Sequence, residues 1–301
     1  MGAGHPECPE RLDAIEDRLL ISGLDIALER REATAAAMAD LELAHGRMHL
    51  ASLRGLSDQL RDDMAAGGPS HAQVDPDTSI NTHSWDAILM AAGAAIDATD
   101  AVMAGEMPNA FCAVRPPGHH ATRNQAMGFC FVNNVAVAAK YALERHGLQR
   151  VAIVDFDVHH GNGTQAIFYN DPRVAYFSSH ESGIYPHSGA PYERGVGNVF
   201  NALLPPGSGG FRFQNTWADE LLPALDDFRP QLLLISAGFD AHMRDPLADL
   251  MLETEDFGWL TRQLREVAER HAAGRIVSML EGGYDLDALR ECTVVHVEAL
   301  R

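Results

Sequence analysis

Val151-Ala152-Ile153-Val154-Asp155-Phe156-Asp157-Val158-His159-His160-Gly161-Asn162-Gly163 opens on four apolar residues and then breaks into carboxylates, imidazoles and glycines. An apolar run with no polar residue on either alternating face suits a strand buried between two layers of helices. Comparable runs recur at residues 111–114, 174–177, 232–235 and 276–280. Residues 85–103, 131–145, 216–228, 257–271 and 286–300, which lie between or after them, carry apolar residues at helical spacing. Strands alternating with helices predict an α/β fold, three layers α/β/α around a mainly parallel sheet. The polar, Gly/Pro/Ser-bearing stretch 65–76 reads as a long surface loop within one domain over 1–301.

At 46% hydrophobic and 22% charged residues, the chain of 301 residues can bury a sizeable core. Its net charge of −19 opposes phosphate contacts, so no nucleic-acid partner is expected. A cationic substrate is compatible with that charge, as is an ordinary acidic protein. Cys8, Cys112, Cys130 and Cys292 form no Cys-x-x-Cys pair, which argues against a thiolate zinc cluster or a disulfide framework and for a reducing cytoplasm. Met1 to Glu7 has neither a basic nor an apolar leader region, and no run approaches the ~20 apolar residues of a membrane span. No membrane partner is therefore expected; a homo-oligomer is compatible with the sequence.

Past the end of each apolar run stands a reactive cluster. These are Arg115-Pro116-Pro117-Gly118-His119-His120, the Asp155 to Gly163 segment, Ser178-Ser179-His180, Ser236-Ala237-Gly238-Phe239-Asp240 and Glu281-Gly282-Gly283-Tyr284. Ligands bind at the carboxyl ends of strands in open α/β sheets, so the five clusters are expected to converge. Asp157 and His159, two apart in an extended segment, point the same way, and Asp240 is the natural third ligand. Two oxygens, one nitrogen and an open position describe a catalytic Zn2+ site, or an Fe2+ site with similar ligands.

The tandem His119 and His120, on a rigid Pro-Pro-Gly turn, suit general base and general acid. Asp155 and Asn162 are candidates to fix their tautomers. Tyr284, after the flexible Gly282-Gly283, is a candidate donor to an oxyanion. Phe129 and Tyr185 could wall a narrow apolar tunnel, although core packing explains them equally well. The chemistry expected is amide hydrolysis by metal-activated water without a covalent intermediate. No Gly-x-Ser-x-Gly elbow or early Gly-x-Gly-x-x-Gly is present, which disfavours a serine hydrolase and a dinucleotide-dependent dehydrogenase.

Arg115-Pro-Pro-Gly-His-His-Ala121, Gly128-Phe-Cys-Phe-Val-Asn-Asn134, Asp155 to Gln165, Ser236 to Asp240 and Glu281 to Tyr284 together resemble the zinc-dependent histone deacetylase superfamily, on its class II and bacterial deacetylase-like amidohydrolase side. The resemblance runs from His5-Pro6-Glu7 almost to the C-terminus. It implies the arginase–deacetylase fold and a deacetylase-like catalytic domain. It also implies zinc at Asp157, His159 and Asp240, carbonyl polarisation by Tyr284, and an acyl-lysine tunnel lined by Gly128, Phe129 and Tyr185. A structural K+ near Asp155, Asp157, His159, Ser178 and Ser179, and an acetate channel at Arg11, are implied as well. Relatives carry a short strand ahead of the His-Pro-Glu motif, which is expected to be missing here.

Asn162 is the class II choice at its position, and Tyr284 is retained where class IIa enzymes carry histidine. The gatekeeper glutamate of the polyamine-preferring enzyme is replaced by Leu247, which tilts the expected substrate toward an acyl-lysine peptide or a small acyl amine. An acetylpolyamine hydrolase of the same superfamily is the nearest alternative. A dimanganese ureohydrolase is disfavoured because its extra carboxylate positions are Gly161 and His242. A non-catalytic acyl-lysine binding module is disfavoured because all candidate catalytic groups are intact.

Overall fold

The computed structural model describes residues 1–2 and 4–301. Helices α1 (Glu10–Ser22), α2 (Met38–Ala44) and α3 (Arg47–Ala65) lead to a two-stranded antiparallel hairpin, β1 (His71–Asp75) and β2 (Thr78–Asn81). Next come α4 (Ser84–Met103), β3 (Asn109–Cys112), α5 (Asn134–Arg145), β4 (Val151–Asp155), α6 (Asn162–Phe168), β5 (Val174–Glu181) and β6 (Val199–Leu204). The chain closes with α7 (Gly210–Thr216), a π-helical turn (Trp217–Leu221), α8 (Leu222–Phe228), β7 (Leu232–Ala237), α9 (Thr254–His271), β8 (Ile276–Leu280) and α10 (Leu286–Leu300).

The six-stranded sheet has the order β3-β8-β7-β4-β5-β6, with every neighbouring pair parallel. Every residue of β4, β5, β7 and β8 is buried, as strands covered on both faces must be. Strand alternation divides the core. Val151 and Ile153 of β4 join Leu50, Ile88 and Val135 on one face, whereas Ala152 and Val154 join Trp217, Phe257 and Leu289 on the other. At about 1.5–3 kcal/mol per fully buried aliphatic or aromatic side chain, these two layers are the main source of stability.

Several sequence expectations need correction: β5 runs on to Glu181, so Ser178, Ser179 and His180 lie within the strand rather than past its end, and α5 begins at Asn134, so Phe131 to Asn133 belong to the loop before it. Stretch 65–76 is not all loop: α3 reaches Ala65, and β1 occupies His71–Asp75, stabilised by its ladder to β2 rather than by apolar content. The third strand spans Asn109–Cys112, so Val114 already lies in the loop that turns toward Pro116.

From β4 the chain builds outward through β5 and β6, then returns to place β7 on the other side of β4 and continues to β8. Connections therefore leave β4 and β7 in opposite directions, and a crevice opens between their carboxyl ends.

Candidate metal centre and active site

Asp157 and His159 follow β4, and Asp240 follows β7, so all three stand at that crevice. His159 Nδ1 lies 3.1 Å from Asp157 Oδ1 and 3.2 Å from Asp240 Oδ2. The three donor atoms fall within 4.8 Å of one another. Both carboxylates are buried and anchored by backbone amides at 2.9 Å: Gly282 N–H donates to Asp157 Oδ2 and His159 N–H to its Oδ1, while Val158 N–H donates to Asp240 Oδ1.

Two buried carboxylates sharing one imidazole hold excess negative charge, a costly arrangement unless a cation completes it. Burial lowers the pKa of His159, yet Asp157 and Asp240 outweigh that effect and push it up to about 10. Burial and the charge of Asp157 raise the pKa of Asp240. A nitrogen and two carboxylate oxygens without thiolate are the donor set of catalytic Zn2+ or Fe2+, so these residues fit such an ion. Gly282 makes the convergence sterically feasible, since a Cβ there would lie 2.0 Å from Asp240 Oδ2 and 2.7 Å from Asp157 Oδ2.

The tandem histidines sit beside this centre in different electrical settings. His119 Nδ1 donates to Asp155 Oδ2 at 3.0 Å, and its Nε2 stands 3.8 Å from Asp157 Oδ1. Burial opposes its charge, but Asp157, Asp155 and Glu281 hold its pKa well above the usual value. His120 Nδ1 donates instead to the neutral Asn162 Oδ1 at 2.8 Å. Burial, His119 and His159 together hold the pKa of His120 well below the usual value. The pair thus joins an imidazole that favours its proton to one that favours its lone pair.

Tyr284 follows β8 and lies edge-on to Phe129, with ring centroids 5.8 Å apart. Burial keeps its phenol protonated by raising the pKa well above 10. Arg11 is fully buried behind it: the guanidinium carbon stands 5.0 Å from the Tyr284 ring centroid, Nε donates to Gly283 O and Nη2 to Glu281 O. Its Nη1 has only a 3.5 Å ion pair with Glu7.

Gly128 and Phe129 both have left-handed backbone, at φ 57° and 66°. A Cβ at Gly128 would meet His120 Cδ2 at 2.4 Å, and Thr78 Oγ1 fixes the turn by accepting from Phe129 N–H at 2.9 Å. Tyr185 packs edge-on to His120 at 5.1 Å between ring centroids.

Other predicted positions sit farther out or have other partners. Leu247 is 38% exposed on the loop after Asp240. The sheet register pairs Asp155 with Ser178, whose hydroxyl also meets His180 Nδ1 at 2.9 Å, while Ser179 Oγ accepts from Trp217 Nε1. The Asp155 carboxylate and Ser178 hydroxyl offer oxygens of the type K+ takes.

Several supporting residues were given no role from the sequence, although Glu281 and Asn133 stand in motifs quoted from it. Glu281 Oε2 accepts from the amides of Gly118 and His119, bracing the histidine turn, and Tyr176 donates its hydroxyl to Asp155 Oδ2 at 2.9 Å. Asn133 Oδ1 accepts from Ala136 N–H at the start of α5, while its Nδ2 reaches Thr164 Oγ1 and Ala121 O. The partners of Glu281 and Tyr176 lie far away along the chain, and spacing carries no signal for such pairings; the Asn133 cap, three residues from Ala136, is the one that local spacing could have shown.

Residues 5–300 match the Histone deacetylase domain family, and the chain belongs to that family. It is 43% identical to a histone deacetylase-like amidohydrolase of Pseudomonas aeruginosa over 303 residues, covering 99% of this chain and 77% of the relative. It is 39% identical to a probable deacetylase of Archaeoglobus fulgidus over 290 residues, covering 94% of this chain and 77% of the relative. The crystal structure of the HDA15 HD domain superposes with a TM-score of 0.90 at 33% identity, covering 100% of this chain and 83% of that one. The predicted α/β fold is thereby that of the histone deacetylases, and the relatives support an enzyme of the deacetylase and amidohydrolase kind. Among the described residues, no helix is long and apolar enough to cross a membrane.

Proposed function

We propose that this chain is a zinc-dependent amidohydrolase that removes acetyl or related acyl groups from lysine side chains or similar small amines. The observation that carries the reading is the buried meeting of Asp157, His159 and Asp240 beside a proton-accepting and a proton-holding histidine. Asp157, His159 and Asp240 would hold the Zn2+, with Fe2+ as a substitute, and Asp155 and Ser178 would contribute to a K+ site with Asp157, His159 and Ser179. When bound, the divalent ion supplies Lewis acidity to a carbonyl oxygen and lowers the pKa of water.

The chain's own groups do the rest. His120 takes a proton from water at Nε2, since Nδ1 is committed to Asn162. His119, kept cationic by Asp157, Asp155 and Glu281, stabilises developing negative charge, and His120 returns its proton to the departing amine. Tyr284 donates its phenolic hydrogen to the carbonyl oxygen as charge builds there. Gly128, Phe129 and Tyr185 exclude water along the acyl chain, and Arg11 would stand where released acetate passes. Leu247, in place of a gatekeeper glutamate, would favour an acyl-lysine peptide or small acyl amine over a polyamine.

A turnover panel of acetyl-lysine peptide, acetylpolyamine and acyl anilide, with and without a hydroxamate chelator, tests the assignment. Hydroxamate-sensitive release of acetate from the peptide is expected. Failure of the zinc-loaded protein to hydrolyse any of the three would contradict it.

A further inference from the structure

We infer that Asp245 is a positioning residue for Tyr284, acting through the backbone rather than on substrate. The inference rests on the amidohydrolase reading, in which the Tyr284 phenol donates to the carbonyl oxygen. Tyr284 is carried by Gly282-Gly283, with Gly283 at φ 116°, and the permissive backbone of a glycine pair fixes the following residue only where other groups hold it.

Two side chains hold it from complementary directions. Arg11 donates to the carbonyls of Glu281 and Gly283 at 2.6 and 2.7 Å. Asp245 Oδ2 accepts from Tyr284 N–H at 2.7 Å and from Asp285 N–H at 3.3 Å, while Oδ1 accepts from Leu247 N–H at 3.0 Å. Asp245 is 7% exposed, so these bonds face little competition from water.

The same carboxylate thus links the loop after β7, which carries Asp240, to the loop after β8, which carries Tyr284. Phe239 N–H also donates to Gly282 O at 3.0 Å between the same loops, but that bond stops short of Tyr284, whose own amide is held by Asp245. The neighbouring Arg244 pairs with Asp285 and Glu291 but is 41% exposed, so it is a poor substitute for the buried bond.

A double-mutant cycle on the zinc-loaded full chain, with an acetyl-lysine peptide as probe, tests this. Tyr284→Phe should lower kcat by about 10²–10³-fold. Asp245→Ala should lower kcat by about 10–100-fold with KM within about threefold, and Asp245→Asn, which retains one acceptor, by less. In the Tyr284→Phe background, either Asp245 variant should cost no more than about twofold further, because the group being positioned is gone. Zinc content should stay at the wild-type level. In the metal-free protein, amide hydrogen exchange in a fragment covering residues 281–286 should accelerate in both Asp245 variants.

Multiplicative losses in the double variant, wild-type kcat in Asp245→Ala, or unchanged exchange would each overturn the positioning role while leaving the functional reading intact. Wild-type turnover in Tyr284→Phe would instead overturn the functional reading, and this inference with it. If Asp245→Ala does not fold, Asp245→Asn carries the same cycle.

Discussion

Adding one methyl group at residue 282 should cripple metal binding while sparing the fold. The added Cβ of Gly282→Ala would lie 2.0 Å from Asp240 Oδ2, 2.6 Å from its Cγ and 2.7 Å from Asp157 Oδ2. A relaxed carbon–oxygen contact is about 3.3 Å, so Asp240 Oδ2 must retreat by about 1.3 Å. Metal–ligand distances tolerate only about 0.2 Å, so the displaced carboxylate ceases to be a ligand. A loss of at least about 100-fold in Zn2+ affinity follows, or about 2.8 kcal/mol. The backbone at 282 is outside the left-handed region, so alanine adds no conformational strain of its own. Competition titration against a chromophoric chelator reads the affinity, and thermal melting of the metal-free proteins checks the fold. Zinc affinity within about threefold of wild type would refute the convergence of the two carboxylates on one ion.

Tyr284→Phe should retain wild-type zinc content while kcat falls by about 10²–10³-fold, as measured by steady-state kinetics and elemental analysis. Asn162→Asp places a carboxylate on His120 Nδ1 and raises that imidazole's pKa. Because the base must be neutral, the acid limb of the kcat/KM profile should move to higher pH by about 1 unit; an unmoved limb would remove His120 as the base. Burial lowers the pKa of His296 from 6.5 to about 3, and its ring bonds Thr261 and Ser278. A histidine depressed in the folded state stabilises the fold above pH 6.5 and loses that contribution as pH falls toward its folded pKa. Between pH 6.5 and about pH 4.5 the loss is about 2–3 kcal/mol, and His296→Gln should flatten that part of the stability curve in denaturant titrations.

The parts of the fold legible in the sequence were those whose burial is uniform. β8 and α10 occupy the residues that their apolar patterns marked, 276–280 and 286–300, because strands and helices enclosed on most sides need apolar side chains at every inward position. β6 escaped notice because it is an edge strand: Asn201 interrupts its apolar run and Leu203 is 37% exposed. The β1–β2 hairpin escaped because His71, Gln73 and Asp75 make it polar.

The metal-centre candidates were legible for a related reason. Asp157, His159 and Asp240 follow strands directly, so a parallel sheet brings them together whatever the helices do. Glu281 and Asp245 accept from backbone amides and Tyr176 donates to the Asp155 carboxylate, across separations as long as the 163 residues from Glu281 to Gly118, and only the folded chain reveals such pairings.

Elemental analysis of the purified, dialysed protein addresses the central claim most directly. One equivalent of zinc per chain is expected in the wild type, falling to background in Asp240→Asn. Two equivalents of manganese, or zinc content that survives Asp240→Asn unchanged, would contradict it.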